Sequence, residues 1–126
     1  MKFFFDNNLS RQLAEGMKAF GEEAVHLREV FDPGEADAVW LRYVGEEGLF
    51  LVTRDERIRF RPNELAQLKA AAVGAFFLGG KNRNRCELIQ QLVRNWPRMK
   101  KFASRTKRPF ACRIPPSGSR FTSLPL

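Results

Sequence analysis

Lys2-Phe3-Phe4-Phe5-Asp6-Asn7-Asn8 opens the chain with an aromatic run that gives way at once to an acid and two asparagines. The aromatic residues read as a short buried strand, and Asp-Asn-Asn as the turn that ends it. The same grammar recurs downstream. Ala24 to Leu27 reads as a second strand, Leu49 to Thr53 as a third, and Val73 to Leu78 as a fourth. Their near-continuous apolar character fits a sheet covered on both faces. Phe110 to Ile114 is a candidate fifth strand.

Between the strands the apolar spacing changes to that of helices. Leu9, Leu13, Met17 and Phe20 share one face, and Gly21 closes that segment. Asp32-Pro33-Gly34-Glu35 is a turn leading into a second helix, with Asp32 or Asp37 as its cap. Val39, Trp40, Tyr43 and Val44 supply the apolar face of that helix, and Gly48 ends it. Residues 63–72 form a short third helix. Cys86 to Phe102 form a fourth, which Pro97 is expected to kink or split. Strands alternating with helices at this spacing define an α/β fold with a mainly parallel sheet of four to five strands. One domain over residues 1–114 is expected, with 115–126 as a Ser- and Pro-rich C-terminal extension.

In a parallel α/β sheet the C-terminal strand ends share one edge, and ligands bind there. Asp6 stands at the end of strand 1, Glu29 just past strand 2, Asp37 near the start of the second helix, and Asp55 just past strand 3. Four carboxylates on one edge repel unless something positive lies between them. Hard oxygen donors suit Mg²⁺ or Mn²⁺. Such a site fits phosphodiester hydrolysis, because the ion acidifies water and offsets charge on phosphate oxygens. Asp6, Asp37 and Asp55 are the expected metal ligands. Glu29 is expected to orient the metal or the attacking water, and Thr53 to hydrogen-bond the site. Each acid also has an ordinary reading as a cap, a turn residue or a solvated loop residue. His26, the only histidine, falls in a central strand and reads as structural.

Composition narrows the class. The net charge of +8 is uneven: residues 1–80 carry 10 basic and 13 acidic side chains, while 81–126 carry 12 basic and one acidic, Glu87. An acidic site followed by a basic half suits a polyanion or an acidic protein partner. Arg28, Arg54, Arg57, Lys81, Arg83 and Arg85 are the candidate nucleic-acid-binding groups, expected to rim the acidic edge. Arg94, Arg98, Lys101 and Arg105 fall on one helical face, open to RNA, to an acidic partner or to solvent alone. No apolar run is long enough to span a bilayer, and no secretory leader is evident, so a cytoplasmic setting is expected. Cys86 and Cys112 form no CxxC pair and are expected to be reduced, core-filling residues.

Several blocks together resemble the PIN-like domains. Phe3-Phe4-Phe5-Asp6-Asn7-Asn8-Leu9 is similar to the opening of PIN-like toxin domains. His26-Leu27-Arg28-Glu29, then Asp37, then Leu51-Val52-Thr53-Arg54-Asp55 follow in the order of that group's next blocks. Asn84 through Trp96-Pro97 to Pro109-Phe110 looks like the VapC-like branch. The resemblance implies a three-layer α/β/α fold and a Mg²⁺- or Mn²⁺-dependent ribonuclease. It further implies the toxin of a type II toxin–antitoxin pair, with a cognate antitoxin and a homodimeric state as expected partners. By the same resemblance, the acids at those blocks correspond to Asp6, Glu29, Asp37 and Asp55. Relatives often carry a second acid two residues past the position of Asp55, where this chain has Arg57. That departure puts a second metal in question and keeps open a non-catalytic binding module that retains the fold. A phosphoacceptor receiver domain also clusters acids at strand ends, but it pairs them after strand 1, where Asn7 and Asn8 stand here.

Overall fold

The computed structural model describes residues 1–126. Five parallel strands run β1 (Phe3–Phe5), β2 (Ala24–His26), β3 (Phe50–Thr53), β4 (Gly74–Leu78) and β5 (Phe110–Ile114). A sixth, β6 (Thr122–Leu124), pairs antiparallel with β5, and the sheet order is β2-β1-β3-β4-β5-β6. The stretch expected as an extension therefore returns to the sheet as its edge. The strand count is six rather than four to five. Thr122-Ser123-Leu124 carries little apolar signal because only one neighbour covers it, and its side chains are largely exposed.

Four helices complete the layers: α1 (Arg11–Ala19), α2 (Asp37–Glu46), α3 (Pro62–Ala70) and α4 (Arg85–Arg105). Successive strand residues point to opposite faces, which sorts the core into two halves. Phe3 and Phe5 join Val52, Phe76 and Cys112 under α1 and α4, through Leu13, Met17, Leu92, Trp96 and Met99. Phe4 joins Leu51, Ala75 and Phe77 under α2 and α3, through Trp40, Leu41, Val44 and Leu68. The result is a three-layer α/β/α sandwich.

Three local expectations need correction. Of the two outcomes expected at Pro97, the split does not occur, since α4 runs unbroken from Arg85 to Arg105. Leu92, Trp96 and Met99 bury side chains on both sides of the proline, and that burial outweighs the roughly 3 kcal/mol a helical proline costs. Of the two cysteines, only Cys112 is in the core, where burial pushes its thiol up to about 12; Cys86 is exposed on the first turn of α4. Neither Asp32 nor Asp37 caps α2, because Ala36 holds the cap position without a side-chain bond. Asp37 is instead the first helical residue, where the partial positive charge of the helix end favours a carboxylate.

Glycine governs the packing of α2 on α3. A Cβ at Gly45 would stand 2.2 Å from the Ala71 carbonyl oxygen, so only glycine lets the end of α3 come this close. The close pairing sets the start of α2 beside the start of α3 at the C-terminal edge of the sheet.

Candidate active site

The strand order runs outward in opposite directions from β1 and β3. Such a switch point opens a crevice at the C-terminal strand ends. Asp6 closes β1 there and Thr53 closes β3, and their side chains meet. Thr53 Oγ1 donates to Asp6 Oδ2 at 2.5 Å, and the Asn8 amide N–H donates to Asp6 Oδ1 at 3.0 Å. Thr53 Oγ1 in turn accepts from the Asp55 N–H at 2.9 Å. Asn8 ties the same two strand ends together: its Nδ2 donates to Thr53 Oγ1 and its Oδ1 accepts from the Arg54 N–H. The expected role of Thr53 is thus present in the geometry.

Asp55 caps the 3₁₀ turn Glu56–Arg59 by accepting from the Arg57 N–H. Asp37 Oδ1 accepts from Trp40 Nε1 at 3.1 Å, and that indole stacks on Phe4 with centroids 5.7 Å apart. A strand residue on the core side of β1 therefore helps to aim Asp37. Asp6, Asp37 and Asp55 line one cleft of about 160 Å³, together with Asn7, Asn8 and Glu35. Sequence reasoning misses Glu35, because Asp-Pro-Gly-Glu reads as a turn without any hint of where its last side chain points.

Glu29 is not in this cleft. Its Oε2 accepts from the His26 N–H at 2.7 Å while His26 Nδ1 accepts from the Arg28 N–H, a reciprocal cap on the 3₁₀ turn Leu27–Glu29. Its Oε1 meets Lys18 Nζ at 2.5 Å. Burial works against the ionised form, but Lys18 and the His26 N–H together hold the carboxyl below its ordinary range. Both oxygens are committed to structure, so Glu29 is corrected from a site acid to a cap. His26 is buried and its Nε2 lies 2.7 Å from the Leu9 carbonyl oxygen, a structural role, although β2 is an edge strand of the sheet and not the central one expected.

A single guanidinium nitrogen gathers three of the remaining carboxylates. Arg61 Nη1 lies 3.1 Å from Asp55, 3.5 Å from Asp37 and 3.5 Å from Glu64. Arg57 adds a second contact to Asp55 at 3.0 Å. Neither arginine reaches Asp6, whose side-chain partners are a hydroxyl and an amide. Burial first, and then the charges of Asp55 and Asp37, raise the Asp6 pKa to about 7, although the Thr53 and Asn8 hydrogen bonds pull the other way. Asp6 is therefore an acid with no counter-charge. A hard divalent cation fits this donor set by chemistry. As the side chains stand, no three acidic, histidine or cysteine groups are gathered closely enough to hold one ion, and Arg61 is drawn in against Asp37 and Asp55.

The basic residues divide. Arg28 and Arg85 line a cavity next to the acidic cleft, and Lys81 is exposed in the loop after β4. Arg54 donates to the Gly80 carbonyl at 2.7 Å, and Arg83 to the Pro116 carbonyl at 3.2 Å, so both are engaged within the fold. Arg94 also reaches the Pro116 carbonyl, while Arg98, Lys101 and Arg105 line a depression beside Phe121, apart from the acids.

The sheet is doubly wound, and aspartates converge at its switch point. A PIN-like domain family model matches residues 1–80, and the chain belongs to that family. The matched span takes in Asp6, Asp37 and Asp55 and ends just after β4, so α4, β5 and β6 lie beyond it. No curated protein and no solved structure matches the chain. No helix is long and apolar enough to cross a membrane.

Proposed function

We propose that this protein is a metal-dependent endoribonuclease, hydrolysing RNA phosphodiesters with Mg²⁺ or Mn²⁺ held by Asp6, Asp37 and Asp55. The observation that carries this reading is the cleft itself: three aspartates from β1, α2 and the end of β3, of which the most buried has no cation of its own. When bound, the ion acidifies water and offsets the charge that builds on phosphate oxygens. Thr53 and Asn8 hold Asp6 fixed, and the Trp40 indole fixes Asp37. Taken to its finer form, the reading makes the chain the toxin of a type II toxin–antitoxin pair in the cytoplasm. The basic surface of residues 81–126 would complement an acidic antitoxin, and a homodimer is the oligomeric form proposed with it.

The test is cleavage of a mixed-sequence RNA by purified protein. Activity should need Mn²⁺ or Mg²⁺, vanish in EDTA, and fall by about a hundredfold or more in Asp6→Asn. Undiminished cleavage by that variant would remove Asp6 from the site.

A second reading, a PIN-like module that binds without cleaving, draws on the two arginines against Asp55. Arg61 separates the two. If it holds the place of a cation, Arg61→Gln should bind Mn²⁺ about tenfold more tightly by calorimetry, since a like charge beside the ion is gone. The variant should also melt at a lower temperature in EDTA. No Mn²⁺ binding at millimolar concentration, in parent or variant, decides for the binding module.

A further inference from the structure

An open polar cavity of about 420 Å³ adjoins the acidic cleft, and Asn7 and Asn8 line both. Nine residues line it, three of them arginines (Arg11, Arg28 and Arg85) and none acidic. The arginines come from separate places: the first residue of α1, the 3₁₀ turn after β2, and the first residue of α4. Their hydrogen bonds leave the charge intact. Arg28 Nε donates to Asn7 Oδ1 at 3.0 Å, and Arg85 Nη1 donates to Gln12 Oε1 at 2.5 Å, both neutral acceptors. Arg11 approaches a carboxylate only at 3.9 Å, on an exposed helix face. Elsewhere the guanidinium groups of Arg61, Arg83 and Arg113 sit against carboxylates. Arg98, Lys101 and Arg105 beside Phe121 are also without a carboxylate partner, and what sets this cavity apart is that its free charge adjoins the acidic cleft. Of the nearby acids, Glu15 stays on the exposed face of α1, and Glu29 is turned to Lys18 and to the His26 N–H.

We propose that this cavity is a phosphate-binding subsite for the backbone of a single RNA strand, next to the position where the strand would be cut. The inference rests on the ribonuclease reading for the adjacent cleft, and its own content is the binding of backbone phosphate. Guanidinium groups in a concave wall recognise phosphate by paired N–H donors. Asn8 is fixed by Thr53 and the Arg54 N–H, so the wall dividing the basic cavity from the acidic cleft is rigid. That arrangement solves a problem the cleft has alone. A cluster of carboxylates repels a polyanion, and a basic hold one step along the strand supplies the attraction and the alignment.

The experiment measures binding without catalysis. A 5′-labelled single-stranded RNA of twelve nucleotides is titrated with the full chain in EDTA, by fluorescence anisotropy, over a range of salt. The parent protein should bind. Arg11→Gln/Arg85→Gln should bind about tenfold or more weakly, and its plot of log K against log salt should be shallower by about 1.4, for two single-strand phosphate contacts. Arg85→Gln alone should give about half that change in slope. Lys69→Gln/Lys107→Gln removes the same charge just before β4 and β5, at the opposite edge of the sheet, and should keep the parent's affinity and slope. The proposal is overturned if the parent does not bind the oligonucleotide, as expected were the cavity to take an acidic protein instead. It is equally overturned if the cavity variants match the parent, or if the Lys69/Lys107 variant loses as much. Failure of the ribonuclease reading looks different: arginine-dependent binding persists, but no cleavage occurs when Mn²⁺ is added.

Discussion

Asp6→Asn should make the metal-free protein more stable at the same time as it removes cleavage. In the native state Asp6 has its pKa raised to about 7 by burial, against an ordinary value of 3.8. A carboxyl with a raised native pKa binds more protons folded than unfolded between those two values. Stability is then fully present below pH 4 and is lost as pH rises toward 7. Above pH 7 the ionised, buried Asp6 costs up to about 4 kcal/mol. Asparagine carries no charge and keeps an oxygen to accept from the Asn8 N–H. Urea unfolding in EDTA should show parent and variant nearly equal at pH 4, with the variant ahead by up to that amount at pH 8. Added Mn²⁺ should close the gap at pH 8 by stabilising the parent, because a ligand bound to the native state alone adds to its stability. Equal differences at the two pH values would mean that Asp6 is not the strained group.

Trp96→Ala should cost about 3–5 kcal/mol, enough to threaten folding in a domain of this size. The indole is 4% exposed, lies 4.4 Å from the Phe3 ring and 6.3 Å from the Phe5 ring, and so joins α4 to β1. Its Nε1 donates to Glu22 Oε1 at 2.7 Å, and Lys100 reaches the same oxygen at 2.9 Å. Lys100 and then Trp96 keep the Glu22 carboxyl below its usual range. Trp96→Phe should retain most of the packing and lose about 1 kcal/mol for the hydrogen bond. A loss under about 1 kcal/mol for the alanine variant in urea unfolding would show that the cavity collapses without cost. Because Phe3 and Phe5 carry the strand that ends in Asp6, the alanine variant should also lose Mn²⁺ stabilisation before it loses helical signal.

The parts of the fold legible in the sequence are those where local pattern and burial agree. Phe3-Phe4-Phe5 and Leu51-Val52-Thr53 are covered on both faces and end abruptly at polar residues, so both strands and the acids after them stand out. Asp37 is marked by the Pro-Gly turn before it. What stays hidden depends on contacts between distant segments. The fate of Glu29 is decided by Lys18, eleven residues earlier and on another element. The convergence of Asp37, Asp55 and Glu64 on Arg61 depends on how closely α2 approaches α3, which no spacing in the sequence encodes. Glu35 reaches the cleft through the path of a loop, and loops have no period to read. The basic cavity is of the same kind, since its three arginines lie 17 and 57 residues apart in the chain and meet only in the folded molecule.

The strand at the C-terminal side of the sheet has a consequence for behaviour in solution. A sheet edge offers unpaired backbone groups on which a second molecule can add a strand. Here both edges are reduced to three residues, Ala24–His26 on one side and Thr122–Leu124 on the other. The second is held down by Arg59, which donates to the Pro125 carbonyl from a position 8% exposed. The two longest strands, β4 and β5, are interior, and each boundary strand is short. The borders of the sheet therefore offer another chain few unpaired backbone groups, and β6 covers the longer strand, Phe110–Ile114, that would otherwise lie open.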